Sequence, residues 1–368
     1  MKIATVVHLV PSFGCGGLEK VIVNLVNNSE AYNVKHVLIS LTTEFGLIKE
    51  FDNPVDVYCL GKKPGNDIYS HFKLMRLLRR LKPVAFHTYN FGTIEYHLAA
   101  KLSGVPTTVH CDHGRGGDDP KGLNKLNNRF RKLISVFINH YTVVSYDLFN
   151  WVTKDIGINK QKVTLVFNGV KVPAKLQHKK INNDKIISTV GRLDPIKNQT
   201  MLMDAFEQYK KTSADQEPVI LQLAGDGPSY KELDAYKQTL SSDKDIHMLG
   251  YRSDIDDILF KTDLFALSSH YEAMPMTILE AMAIGVPVVT TDVGGISKFI
   301  SEDEVWFVPA GDQNKMAELF FQLLAHSPEK QQKIERAYNL VKNKYSVQSM
   351  VEQYMALYKI EAKAVSSS

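Results

Sequence analysis

The sequence predicts an α/β protein made of two doubly wound, Rossmann-like domains facing each other across a cleft. Three observations carry this. Short apolar runs rich in Val, Ile and Thr alternate with segments of helical apolar period, the pattern of a parallel sheet covered on both faces. The alternation stops at NGVKVPAKLQHKKINNDK, residues 168–185, a polar stretch without apolar period, and then restarts, as expected of an inter-domain linker. The chain has 368 residues, long for a single core.

Strands are expected near 3–9, 36–40, 55–59, 84–87, 106–110, 141–144 and 163–166. Helical patterns at 17–28, 70–81, 92–103, 123–138 and 146–155 separate them. After the linker, strands near 186–190, 219–224, 246–248, 264–267, 286–289 and 305–307 alternate with helices near 198–211, 228–240, 254–260, 275–284, 312–325 and 328–343. The expected boundaries are an N-terminal domain at 1–170, a linker at 171–185, a second domain at 186–345, and a C-terminal helix within 346–368 that packs back toward the first. Ligands of such sheets bind outside the carboxyl ends of the strands.

Composition is that of an ordinary globular protein, 44% hydrophobic and 23% charged. Three scattered cysteines, Cys15, Cys59 and Cys111, make neither a disulfide framework nor a zinc site, and a reducing, cytoplasmic setting is expected. The N-terminal run MKIATVVHLV leads into a glycine turn and reads as a strand. No apolar stretch approaches the ~20 residues of a membrane span. Charge is uneven. Residues 1–175 hold 23 basic against 13 acidic residues, net +10, whereas the whole chain is +4, leaving −6 for the remainder. Two segments concentrate the excess: Lys73, Arg76, Arg79, Arg80 and Lys82, and Lys121, Lys125, Arg129, Arg131 and Lys132. Both lack acids and carry Leu, Phe or Ile at helical spacing, the composition of a helix lying on an anionic membrane surface or of a plain solvated amphipathic helix. Nothing points to nucleic acid as a partner, and the oligomeric state is not legible.

The chemistry-bearing motifs follow predicted strands. Gly14-Cys15-Gly16-Gly17-Leu18-Glu19 joins the first strand to a helix. A dinucleotide fingerprint needs glycine at position 19, and no Gly-Lys-Ser/Thr phosphate loop is present. A tight turn explains these glycines as well as a phosphate does. His110-Cys111-Asp112-His113 ends another strand. His113 there can polarise a hydroxyl, and a zinc site from His110, Cys111 and His113 is the less favoured alternative. In TVGRLDPIKN at 189–198, Arg192 supplies a planar fork and Lys197 a point charge, a pair suited to a diphosphate. In SSHYEAMPMTILEAMAIGVPVVTTDVGG at 268–295, Glu272 and Glu280 stand eight positions apart. Pro275 suits the first turn of the intervening helix, so both carboxylates can face a ligand seated at its N-terminus. Asp254-Ile255-Asp256 matches an Asp-x-Asp metal motif but sits at a helix start, where Asp serves as cap and dipole partner. No metal is expected.

This order of motifs resembles the retaining family-4 glycosyltransferases of GT-B fold, known also as glycosyl transferases group 1, of the kind that build bacterial polysaccharides. The resemblance spans essentially the whole chain and is most specific in Arg192, Lys197, Glu272 and Glu280. It implies that Glu272 holds the donor-sugar hydroxyls, Glu280 the ribose, Arg192 and Lys197 the diphosphate, and His113 the sugar near its C6 hydroxyl. It places Gly16 and Gly17 near the diphosphate, Tyr251 and Arg252 near the base, and Ala273, Met274 and Pro275 beside the sugar. The family commonly has Gly after the first Glu, and Ala273-Met274 departs from that. The implied activity is metal-independent retaining transfer of a hexose, without a cofactor, from a UDP- or GDP-sugar to a glycan or lipid-linked acceptor. The implied context is capsule, lipopolysaccharide or exopolysaccharide synthesis, with the protein peripheral on the inner face of the cytoplasmic membrane. A nucleotide-sugar 2-epimerase and a non-catalytic nucleotide-sugar-binding protein of the same fold are the alternatives.

Overall fold

The computed structural model describes residues 3–14, 16–65, 67–115, 119, 122–176, 184–212, 218–272, 274–325 and 327–363. The chain divides into two compact units, residues 1–169 with 347–368, and residues 170–346.

The first unit runs β1 (Ala4–Val10), α1 (Gly17–Asn27), β2 (Val34–Ser40), β3 (Asp56–Cys59), α2 (Ile68–Leu81), β4 (Ala85–Tyr89), α3 (Phe91–Ile94), α4 (His97–Leu102), β5 (Thr107–Asp112), α5 (Lys125–Ile134), β6 (His140–Val143), α6 (Tyr146–Asn150) and β7 (Val163–Leu165). Its sheet has the order β3-β2-β1-β4-β5-β6-β7, all parallel. The residues of the inner strands β1, β4 and β5 are almost all buried, on both faces, which is why they read as continuous runs rather than alternating ones.

The second unit runs β8 (Lys185–Val190), α7 (Gln199–Thr212), β9 (Val219–Ala224), α8 (Tyr230–Lys237), β10 (Ile246–Gly250), α9 (Ile255–Lys261), β11 (Leu264–Leu267), α10 (Met276–Ala283), β12 (Val288–Thr291), β13 (Trp306–Val308), α11 (Gln313–Leu324) and α12 (Pro328–Leu340). Its parallel sheet has the order β10-β9-β8-β11-β12-β13. The last helix, α13 (Val347–Tyr358), belongs to the first unit. Its Val347, Met350, Val351, Tyr354, Met355 and Tyr358 cluster with Val6, Val21, Leu25, Ala85 and Val109.

Several elements depart from the sequence expectation for identifiable reasons. The helix expected over 92–103 is two short ones. The ladder breaks at Glu95 and Tyr96, where the Tyr96 amide donates to the Thr93 carbonyl in a tighter three-residue turn. The helix expected from 123 begins at 125 because Asn124 caps it, accepting from the Leu126 and Asn127 amides. The strand expected at 286–289 is shifted to Val288–Thr291, because the Val286 amide bonds back to the Ala281 carbonyl as the preceding helix unwinds. Residues 170–176 are tied to the second unit, with Val170 bridged to Ser346 and the Pro173 carbonyl accepting from the Tyr338 hydroxyl.

Candidate active site

In both sheets the strand order reverses once, between β1 and β4 and between β8 and β11. At such a point the loops leaving two adjacent strands part and leave a crevice. In the second unit those loops are 191–198 and 268–275, the segments that carry Arg192, Lys197 and Glu272.

The two loops are stitched together. The His270 amide donates to the Ile196 carbonyl (2.7 Å). The Ser268 hydroxyl reaches the Lys197 and Asn198 carbonyls (3.1 and 2.8 Å). Asp194 caps the short turn Pro195–Lys197, accepting from the Ile196 amide. Within this frame Glu272 is buried, and its Oε1 takes the Lys197 ammonium and the Ser269 hydroxyl, each at 2.6 Å. Ser269 is held by its carbonyl, which accepts from Thr291 Oγ1 (2.7 Å). A buried carboxylate needs such partners to remain charged. Ser269 and Thr291 escaped the sequence reading. The only signal for them was a hydroxyl pair at the end of an apolar strand.

Arg192 lies at the same crevice with its side chain 70% exposed, 3.7 Å from Asp194 Oδ2, and its carbonyl accepts from Gln199 Nε2 (3.1 Å). Glu280 is half-buried about one turn inside α10. Pro275 is the cap residue of α10, one place before the first turn, which corrects the expected position. Met274 is buried beside it, and Ala273 lies outside the described residues. Gly294 adopts φ +63, and a Cβ there would lie 1.8 Å from the Glu272 carbonyl oxygen, so the loop after β12 presses directly on the Glu272 backbone.

Tyr251 stands exposed after β10. Arg252 forms a fork with Asp254, with Nε to Oδ1 at 2.7 Å and Nη2 to Oδ2 at 2.5 Å. Asp254 is the cap residue of α9, but that fork takes its carboxylate and no side-chain capping bond forms, a second correction. Among the described residues, no three metal-ligating side chains gather.

In the first unit, Gly16 precedes α1 with an ordinary φ of −104°. Its missing side chain leaves room for Glu19, whose Oε2 would stand 2.6 Å from a Cβ there, while Gly17 is exposed with open space around it. His113 follows β5, and its amide donates to Asn90 Oδ1 (2.9 Å). Its Nε2 is buried without a hydrogen-bond partner, and burial lowers its pKa to about 4, an effect that nearby Asp112 opposes. This is a neutral imidazole with one buried nitrogen unpartnered.

His110 and Asp112 form a buried knot beneath it. His110 Nδ1 meets Thr88 Oγ1 (2.7 Å), and Asp112 accepts from the Tyr141 hydroxyl and lies 3.5 Å from Arg131 Nε. Burial pushes the Asp112 carboxyl up, but His110, Arg131 and Tyr141 outweigh it and hold it below the usual range. The zinc alternative fails on the pleat: Cys111 points to the other face, toward the Tyr354 hydroxyl, and burial drives its thiol up to about 12.

Residues 173–340 match the family described as Glycosyl transferases group 1, and residues 15–172 match Glycosyltransferase Family 4. The chain belongs to the group 1 glycosyltransferases. Its fold is GT-B. The UDP-Gal:alpha-D-GlcNAc-diphosphoundecaprenol alpha-1,3-galactosyltransferase of Escherichia coli is 30% identical over 246 residues. That match covers 62% of this chain and 63% of the relative, so it spans less than two thirds of the relative's length. The N-acetyl-alpha-D-glucosaminyl L-malate synthase of Bacillus anthracis is 25% identical over 321 residues, 83% of this chain and 82% of the relative. The Anabaena protein HepE, solved with UDP and glucose, superposes with a TM-score of 0.79 at 17% identity over 96% of this chain and 99% of its own.

The first unit also carries an apolar and basic surface. α4 packs against α2 on one side and against the turn that ends α5 on the other. On α5 and its flanks, Leu123, Leu126, Phe130, Leu133 and Val136 face outward, up to 75% exposed. Lys125, Arg129 and Lys132 are exposed among them, and Arg76, Arg79 and Arg80 are exposed on α2. Arg131 points inward instead, stacked between Phe91 and Trp151, so it leaves the basic surface that the sequence suggested. Lys121 lies outside the described residues. No described helix is long and apolar enough to cross a membrane.

Proposed function

We propose that this protein is a retaining hexosyltransferase that moves a sugar from a UDP- or GDP-linked donor to a glycan or lipid-linked acceptor of the bacterial cell envelope. The observation that carries the reading is the buried Glu272 carboxylate, held by Lys197 and Ser269 at the switch point of the second unit.

Glu272 accepts hydrogen bonds from the sugar hydroxyls, and Glu280 from the ribose. One Lys197 N–H donates to Glu272, and the ammonium's other two donors are left for phosphate oxygens. Arg192 adds a planar fork. The bond from C1 to the diphosphate breaks, and the acceptor oxygen bonds to C1 on the same face of the sugar. The acceptor proton passes to the departing phosphate oxygen. Negative charge grows on the diphosphate as it leaves, so two cations there favour the transition state over the ground state. In this reading they do the work that a divalent metal would otherwise do. UDP is favoured as the nucleotide by the names of the E. coli relative and of the HepE complex.

The exposed apolar and basic face of α5 and α2 supports peripheral attachment to the inner face of the cytoplasmic membrane, where an undecaprenol-linked acceptor like that of the E. coli relative would be met. The experiment is a screen of UDP, GDP and their common sugar conjugates for thermal stabilisation. A ligand at a hundred times its Kd adds about 2.7 kcal/mol. Absence of stabilisation by every nucleotide and every conjugate would reject the donor site.

A further inference from the structure

Asn90 ends β4 and caps α3, yet its backbone sits at φ +59, ψ 170. That region is essentially restricted to glycine, and other residues are held there only when their surroundings compel it. The surroundings are specific. The Asn90 amide donates to the Cys111 carbonyl (2.8 Å), and its carbonyl accepts from the Thr93 amide and hydroxyl (3.2 Å each). An asparagine at a helix N-cap ordinarily turns its side-chain oxygen onto the amides of the first turn. Asn90 makes no such bond, and its Oδ1 goes across to the next strand's end to accept from the His113 amide (2.9 Å). Glycine would adopt this φ without strain and caps a helix almost as well. Backbone conformation alone therefore favours glycine at position 90. What asparagine adds is the bond to His113, whose own Nε2 is buried without a partner.

We propose that Asn90 is a positioning residue, a strained strut that sets the main chain of His113 so that its imidazole meets a hydroxyl of the bound sugar. This rests on the transferase reading of His113 given above. Asn90 touches no reacting atom in this scheme and acts only through His113.

The test compares Asn90→Gly, Asn90→Ala, Asn90→Asp and His113→Ala. UDP-glucose, UDP-galactose and UDP-N-acetylglucosamine are supplied singly without acceptor, and the released UDP is measured. Asn90→Gly should melt close to the wild-type temperature, since relief of the backbone strain offsets the lost bond to the His113 amide, yet lose about tenfold or more in kcat, the cost of a misplaced group, with KM little changed. Asn90→Ala should lose both stability and turnover. Asn90→Asp keeps the acceptor oxygen and should restore turnover. Its carboxylate favours the imidazolium form of His113, so the acid limb of the pH–rate profile should move to higher pH. Crystal structures of the Asn90→Gly and wild-type proteins should differ in the place of His113, a readout independent of turnover. If His113→Ala is impaired while Asn90→Gly turns over like wild type, or if the two crystal structures superpose at His113, the strut is wrong and the transferase reading stands. If His113→Ala itself turns over normally, the role of His113 falls and the strut with it.

Discussion

Lowering the pH from 7.5 to 5 should destabilise the first unit selectively. His36 is buried, with Ser29 Oγ on one ring nitrogen (2.9 Å) and His8 on the other (2.8 Å), and burial lowers its pKa from 6.5 to about 4. His113 is lowered by burial to the same value. His8, His87 and His97 are lowered further, all chiefly by burial. A group whose folded pKa is depressed binds its proton more readily when unfolded. Its stability contribution is complete above 6.5 and is lost as the pH falls toward 4. Each imidazole moved from 6.5 to about 4 accounts for about 3 kcal/mol over that interval, and about 2 kcal/mol of it is gone at pH 5. His36 and His113 alone thus remove about 4 kcal/mol, a large share of the 5–15 kcal/mol typical of a whole domain. The assay uses the two tryptophans, which fall in different units: Trp151 in the first and Trp306 in the second. Trp306→Phe leaves fluorescence that reports the first unit, and Trp151→Phe leaves the second. The urea midpoint of the first unit should drop by about 2 M between pH 7.5 and 5, taking a slope near 2 kcal/mol per M. The second unit, whose described histidines His247 and His270 are exposed, should move far less. Equal midpoints for the first unit at both pH values would refute the reasoning.

Four further outcomes are expected. Glu272→Gln and Lys197→Met should each lower transfer by about a hundredfold, since each removes a charge from the donor site; wild-type turnover in Lys197→Met would remove it from the diphosphate. Gly294→Ala should cost about 3 kcal/mol of stability through a strained φ and a clash with the Glu272 carbonyl, seen as a lowered melting temperature and loss of nucleotide-sugar stabilisation; unchanged melting would contradict the close approach. Transfer should persist in excess EDTA, and loss that manganese restores would assign the diphosphate charge to a metal. Co-sedimentation with anionic vesicles should exceed that with neutral ones and fall with salt, and Leu126→Glu with Phe130→Glu should abolish it. Equal partitioning on both vesicle types would return α5 to a plain solvated helix.

The fold was legible because both sheets are parallel with inner strands buried on both faces, so those strands announce themselves as apolar β-branched runs. Arg192, Lys197 and Glu272 were legible for a related reason. They lie on short loops at strand ends, the place where ligands of such sheets bind, and the roles assigned to them come from the order of motifs that resembles the family. The hydroxyls that help Lys197 hold Glu272 in place were not legible. Ser269 and Thr291 are common types whose meaning comes from a meeting across 22 positions, which no local pattern encodes. The same holds for Asn90, which reads as an ordinary turn residue until its φ and its bond to His113 are known. Charge counting failed in a further way, since it cannot tell inward from outward. Arg131 was grouped with the basic surface, yet it is buried between Phe91 and Trp151 and faces Asp112. Its Nη2 donates to the Arg115 carbonyl (3.0 Å), two residues beyond His113. The inner face of α5 therefore braces the loop that carries His113, while its outer face shows bare leucine and phenylalanine. One helix thus joins the surface suited to a membrane to the loop suited to a sugar, a link that only the placement of one arginine reveals.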